Sequence, residues 1–406
     1  MAGHLRGVPG HGARRGARAS RVTGDASRVR AGALGRTAFA RLDPTGAAPL
    51  DGRRGSDAAG AARLRGARRA GERAPPCRCG RDPVKARRAA GLTGAIALLA
   101  IAVVFGLLAG GVRLSPADLV RGVGPSGETA RLVASLRAPR VALSALVGCC
   151  LAVAGAALQA LLKNPLADPF LLGTSGGAAT GAAIAAVAGL SPLVSPAAAF
   201  GGAVLSSVAV AALARRGGRL DLQRLLLAGL IANAFFSAVL LAVFSVASGQ
   251  TARTMLFWMM GSLADATASK VLALAPYVAA GFAVLLAFAG RLNLFAVGEE
   301  NAAALGVDVE RSKRIVFLAS SLLTGAAVAF AGIIGFVGLL VPHAVRAAVG
   351  NDQRTLFPVS AIAGAALLVA ADAVSRAAFA PAELPVGAVT AAIGAPVFAW
   401  LLLRNP

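Results

Sequence analysis

The chain has 406 residues, of which 57% are hydrophobic and 15% charged, and its mean hydropathy is +0.71. Soluble domains carry about 25% charged residues, so this composition excludes an ordinary soluble fold and places most of the chain in lipid. The formal net charge of +23 would suit a nucleic-acid or anionic partner, but residues 1–90 hold 21 Lys+Arg against 6 Asp+Glu, so most of the basicity sits at one end.

Residues 1–88 are rich in Arg, Gly, Ala and Pro and lack the apolar clusters that would offset the entropy of ordering, so a disordered tail is expected. No apolar core of signal-peptide type occurs before about residue 91. Val84 precedes the basic run Lys85, Arg87 and Arg88, and were it encoded by a GTG start codon, residues 1–83 would be an untranslated extension. A basic arm touching anionic lipid or nucleic acid is the competing reading, and nucleic acid is not expected as a partner because aromatic residues are not interleaved. Of the four cysteines, Cys77 and Cys79 fall in the tail and Cys149 and Cys150 in an apolar run. None has zinc-site spacing, so no metal or other cofactor is expected.

From residue 91 onward the chain alternates apolar runs of membrane length with short polar loops, and only helices satisfy their backbone within such runs. Spans are expected near 91–112, 141–162, 170–190, 196–214, 222–248, 271–290, 314–333, 336–350, 356–379 and 385–404, ten in all, forming an all-α integral membrane domain over 89–406. Pro342 interrupts the short eighth span, which is expected to be broken or re-entrant. The Lys/Arg bias of the loops, twelve on one side and eight on the other, puts both termini in the cytoplasm. The first outer loop, with Arg137 and Arg140, disobeys that bias.

Chemistry of its own is not expected. No Gly-x-x-x-x-Gly-Lys-Ser/Thr loop occurs, so any ATP must be bound and hydrolysed by a partner, and no paired-carboxylate or nucleophile–base set is present. Buried coupling carboxylates of the kind used by ion-driven carriers are scarce, which disfavours an ion-coupled secondary transporter. Asp372 is the clearest intramembrane acid and reads as a lone residue, without a cationic partner in sequence reach, hydrogen-bonded to a neighbouring helix. In the largest inner loop, 291–313, Glu299 and Glu300 open an Ala-rich stretch that Gly306 ends, which predicts a short helix lying across the inner surface.

Several ordered motifs carry a resemblance. They are Arg137-Ala-Pro-Arg140, Gly155-Ala-Ala-Leu-Gln159, Asn164-Pro-Leu-Ala-Asp-Pro169, Leu172-Gly-Thr-Ser-Gly176 and Trp258-Met-Met-Gly261. Further on come the Gly298–Gly306 loop, Gly335-Phe-Val-Gly338, Val341-Pro-His343, Glu383-Leu-Pro-Val-Gly387 and Gly394-Ala-Pro396. Over residues 91–406 the chain resembles the iron-chelate and cobalamin uptake permeases, the membrane subunits of type II ATP-binding-cassette (ABC) importers.

That resemblance implies ten helices per subunit and a second permease subunit, as a homodimer or with a similar paralogue. It also implies two cytoplasmic ATPase subunits, an extracytoplasmic substrate-binding protein, and a ferric siderophore as cargo, with cobalamin or haem as alternatives. It further implies that Arg137, Arg140 and Arg376 receive the binding protein, and that Gly298, Glu299, Leu305 and Gly306 couple to the ATPase. Leu220, Asp221, Leu222 and Gln223, with Thr174 and Ser175, would line the path or gate. Two departures stand out. Leu220–Gln223 lacks the small hydroxyl residues of cobalamin permeases, and Asn351-Asp-Gln353-Arg354 replaces the Asp-His-Arg of many relatives.

Overall fold

The computed structural model describes residues 83–110, 133–191, 193–380 and 382–404. Residues 1–82, and with them the expected tail and the start-site question, lie outside the described residues. The described chain is almost wholly helical. It runs α1 (Pro83–Leu108), a π-helical turn (Val133–Arg137), α2 (Ala138–Leu161), a 3-10 turn (Pro169–Leu172), α3 (Thr174–Val187) and α4 (Ser195–Leu213). A two-stranded hairpin, β1 (Arg215–Arg216) and β2 (Arg219–Leu220), leads into α5 (Leu222–Val246), α6 (Gly249–Met259) and α7 (Ala268–Phe295). The last elements are α8 (Glu299–Ala304), α9 (Val309–Ala331), α10 (Val337–Val349), α11 (Gln353–Ala377) and α12 (Val386–Arg404).

Seven of these helices, α1, α2, α4, α5, α7, α9 and α11, are long and apolar enough to cross a membrane, and α10 and α12 are shorter apolar helices. Each of the ten expected spans has its helix, with α3 serving the third. Local chemistry fixes the boundaries. Asp221, Asp308 and Asp352 cap α5, α9 and α11 by accepting backbone N–H bonds, from Gln223 and Arg224, from Arg311 and from Arg354 respectively. At the hairpin, Gly217 and Gly218 both take positive φ (57° and 79°), which the tight turn between β1 and β2 requires.

Two expectations are corrected here. Helix α1 already begins at Pro83, ahead of the boundary placed at residue 88, and the basic run is used for packing. Arg87 donates to the carbonyls of Ala347 and Ala348 at the C-terminal end of α10 (2.6 and 2.7 Å), and Arg88 pairs with Asp352 at 3.0 Å. These carbonyls belong to the last turn of a helix, where no intrahelical donor remains and positive charge is favoured. The eighth span is not broken: α10 runs through Pro342. Proline leaves the carbonyl four residues earlier without its donor, and here Gln159 Nε2 of α2 donates to the carbonyls of Gly338 (3.4 Å) and Leu339 (3.2 Å).

The bundle is organised around α2, which is buried along most of its length and packs against α7, α9, α10 and α11, whereas α1, α5 and α7 bury little of theirs. In lipid, apolarity gives helices no reason to associate, so contact depends on backbone approach at small residues. A Cβ added to Gly155 of α2 would lie 1.9 Å from the Gly338 carbonyl of α10, and one added to Gly148 would lie 2.2 Å from the Gly364 carbonyl of α11. Gly177 and Gly202 bring α3 and α4 together in the same way. The Gly155–Gln159 and Gly335–Gly338 motifs, nearly 180 residues apart, are therefore two halves of one contact.

Candidate coupling, docking and gating sites

One end of the bundle, the one the sequence places inside, is built from α8, the start of α9 and the hairpin. Gly298 (φ 129°) and Gly306 (φ 82°) bracket α8 with backbone conformations that other residues rarely adopt, so the short helix predicted between them is present and sharply delimited. On it Ala302 is buried, while Leu305, just past its end, is 69% exposed. Glu299 Oε2 lies 2.6 Å from Lys313 Nζ, and Lys313 also pairs with Glu310 at 3.2 Å. Glu310 Oε2 in turn accepts the Leu220 N–H at 2.7 Å.

The expected gate, Leu220–Gln223, is the junction between hairpin and α5. Leu220 is buried, and the Asp221 carboxylate caps α5 by accepting from the N–H groups of Gln223 (2.9 Å) and Arg224 (3.1 Å). The Arg224 N–H, aided by that of Gln223 and by the charges of Arg224 and Arg216, holds the Asp221 carboxyl below the usual range. Leu222 is half-buried and Gln223 exposed. Of the other two residues assigned to the path, Thr174 is buried in the first turn of α3, with its hydroxyl 3.4 Å from that of Ser207 on α4, and Ser175 is partly accessible. Nearby, Ser206 donates to the Gly173 carbonyl at 2.8 Å, and Asp168 caps the 3-10 turn through the Phe170 N–H at 2.8 Å.

At the other end of the bundle, Arg137, Arg140 and Arg376, which the resemblance assigns to docking the binding protein, come together, and all three are only 5–8% exposed. Arg137 donates to the carbonyls of Leu107 (2.6 Å) and Leu108 (3.0 Å) at the end of α1. Arg376 donates to those of Gly106 (2.8 Å) and Ala109 (2.7 Å). Between the arginines sits Asp372, 1% exposed, with Oδ1 2.9 Å from Arg140 Nε and Oδ2 3.0 Å from Arg376 Nε. Arg140 also pairs with the exposed Glu383, at 3.0 Å.

This overturns the reading of Asp372 as a lone acid. One of its partners, Arg376, stands four residues on in the same helix, a spacing that brings side chains together on one face. That signal was present in the sequence. Arg140, 232 residues away, could be found only through the packing of α2 on α11. Glu310, Lys313 and Glu383 also join these sites, although none of them was assigned a role from the sequence and only Glu383 stood in one of the motifs. Two further motifs knit the same end. The Val386 N–H donates to the Gly261 carbonyl (3.0 Å) and the Ser262 N–H to that of Ala331 (2.9 Å). A Cβ on Gly387 would sit 2.3 Å from the Met260 carbonyl.

The model of the FecCD transport family matches residues 98–404. Among known proteins, the chain is 47% identical over 282 residues to the cobalamin import system permease protein BtuC of Halobacterium salinarum, covering 68% of this chain and 74% of the relative. It is 42% identical over 276 residues to the hemin transport system permease protein HmuU of Yersinia pestis, covering 67% and 83%. Among solved structures, a metal-chelate type ABC transporter in an inward-facing conformation superimposes with a TM-score of 0.71 at 30% identity, over 77% of this chain and 98% of that one. With a family match over three quarters of its length and a helical bundle of the same architecture, the chain belongs to the FecCD transport family and is a multi-pass permease subunit of a type II ABC importer.

Proposed function

We propose that this permease moves a metal chelate across the cytoplasmic membrane by alternating access, driven by a separate ATPase and fed by an extracytoplasmic binding protein. Both termini would lie in the cytoplasm. The observation that carries the coupling role is the inner end: a six-residue helix pinned by two positive-φ glycines, with Leu305 exposed beside it. A large apolar side chain presented to water next to a rigid short helix suits a partner surface. Gly298, Glu299, Leu305 and Gly306 are proposed to transmit ATPase closure, with Leu220–Gln223 and Ser175 as the part that responds, and the work to be a rigid-body switch.

At the outer end, the cluster of Arg137, Arg140, Asp372, Arg376 and Glu383 is proposed to hold α1, α2 and α11 together and to underlie the surface that receives an acidic binding protein, where charge would steer encounter more than it adds affinity. Ferric siderophore was the cargo first expected. The relatives named for cobalamin and hemin shift the preferred cargo to a metal-bearing macrocycle, with ferric siderophore as the alternative within one class.

The test is co-purification of the tagged permease from its host, with identification of every bound subunit, followed by uptake of cyanocobalamin, hemin and a ferric hydroxamate into vesicles. The expected result is an ATPase and a binding protein in the wild-type preparation, loss of the ATPase in Leu305→Arg, and ATP-dependent uptake of one macrocycle. Wild-type permease that brings down no ATPase and moves cargo without ATP would overturn the proposal, and uptake of the hydroxamate alone would reverse the cargo order.

A further inference from the structure

Lys313 stands in the first turns of α9, yet it is only 5% exposed and has no apolar reason to be there. Its ammonium contacts three groups from different parts of the inner end. It pairs with Glu299 at the start of α8 (2.6 Å) and with Glu310 on its own helix (3.2 Å), and it donates to the Leu220 carbonyl of the hairpin (3.4 Å). Glu310 closes the loop by accepting the Leu220 N–H at 2.7 Å. Residue 220 immediately precedes the cap of α5, so the chain of contacts runs from α8 to the N-terminus of α5.

A groove of about 750 Å³, lined among others by Arg219, Glu300 and Val307, opens between α8 and the hairpin. The link across that groove runs through the Lys313 and Glu310 side chains. Shielding from water strengthens the interactions of the buried ammonium, and removing one of its two carboxylate partners leaves that buried charge less compensated.

We infer that Lys313 is the positioning residue that converts displacement of α8 into displacement of the α5 N-terminus. The inference rests on the importer reading above and names the internal connection that reading needs. A push on α8 pulls Glu299, the buried ammonium carries the pull to Leu220, and the hairpin swings the capped first turn of α5. A residue serving only to stabilise the fold would cost stability when replaced. It would leave intact the ratio of movement to ATP hydrolysed.

The test uses the complete complex, co-purified with its own ATPase and placed in nanodiscs, in a cysteine-free background with Arg219→Cys carrying an environment-sensitive fluorophore. Fluorescence change on ATP addition and ATP hydrolysis are measured on the same sample. For Lys313→Met the signal per ATP hydrolysed is expected to fall about tenfold, within the usual range of coupling between sites, and Lys313→Arg, which keeps the charge, is expected to restore most of it. Glu310→Gln, which weakens the pair with Lys313 and the bond to Leu220 but leaves the Lys313–Glu299 pair, should give an intermediate loss and serves if the Met variant does not fold. A Met variant that elutes as wild type and keeps the wild-type ratio overturns the inference. A wild-type complex lacking an ATPase, or showing no ATP-dependent signal, overturns the importer reading instead.

Discussion

The buried cluster around Asp372 makes the most demanding prediction. Replacing Asp372 with Asn keeps the shape of the side chain but removes the charge between Arg140 and Arg376, whose Nε atoms lie 2.9 and 3.0 Å from its two oxygens. Neither guanidinium can turn to water, since both are less than 10% exposed. Breaking a buried pair by removing one partner costs about 3–5 kcal/mol because an uncompensated charge remains. Asp372 serves two partners, which argues for the upper end, while the carbonyl contacts of Arg376 and the Glu383 contact of Arg140 relieve part of it. The melting temperature in detergent should then fall on the order of 10 °C. Replacing all three charges, as Arg140→Met, Asp372→Leu and Arg376→Met together, should recover much of the loss, since matched apolar groups often replace buried ion pairs without penalty. The assay is thermal unfolding followed by gel filtration. An Asp372→Asn permease that melts with the wild type would refute the argument that these charges depend on one another.

Three further outcomes follow from the packing and the caps. Gln159→Leu should cost about 1–3 kcal/mol by leaving the carbonyl freed by Pro342 without a donor in the bundle; the measurement is thermal stability, and Gln159→Glu should do better only while its buried carboxyl is protonated, since the O–H donates and the carboxylate cannot. Gly155→Val should yield no monodisperse protein on gel filtration, because even its Cβ would lie within 1.9 Å of the Gly338 carbonyl. Burial raises the Asp168 carboxyl to about 6, against the opposing effect of the Phe170 N–H bond. Between about pH 4, where an unfolded Asp titrates, and pH 6, the folded state therefore holds a proton that the unfolded chain has released, and this group's contribution to stability falls as pH rises through that window. Asp168→Asn, which keeps an acceptor for the cap, should flatten that part of the melting-temperature profile and gain on wild type above pH 6; an unchanged profile would show that Asp168 does not carry it.

Apolar run length alone located all ten spans to within a few residues at most ends, because the requirement that a backbone in lipid satisfy itself is local to each segment. The two acidic residues and the closing Gly306 likewise marked α8, since capping and left-handed turns act within a few residues. The short helix α6 went unseen: its Ser248 cap, which accepts from the Thr251 N–H, was legible, but eleven residues after an apolar run carry no membrane-length signal.

Long-range pairing lay beyond any local reading. The four-residue spacing of Asp372 and Arg376 was legible, yet which other arginine completes the cluster depended on how α2 lies against α11. Whether an arginine faces a partner or a helix end depended on where α1 stops. The route from α8 through Lys313 to Leu220 spans 93 residues of chain. Composition and spacing thus determined that this protein crosses a membrane many times and where it turns. Tertiary packing decided which charges meet, because the energy of a buried ion depends on partners and on exclusion of water, and neither is a property of the neighbouring sequence.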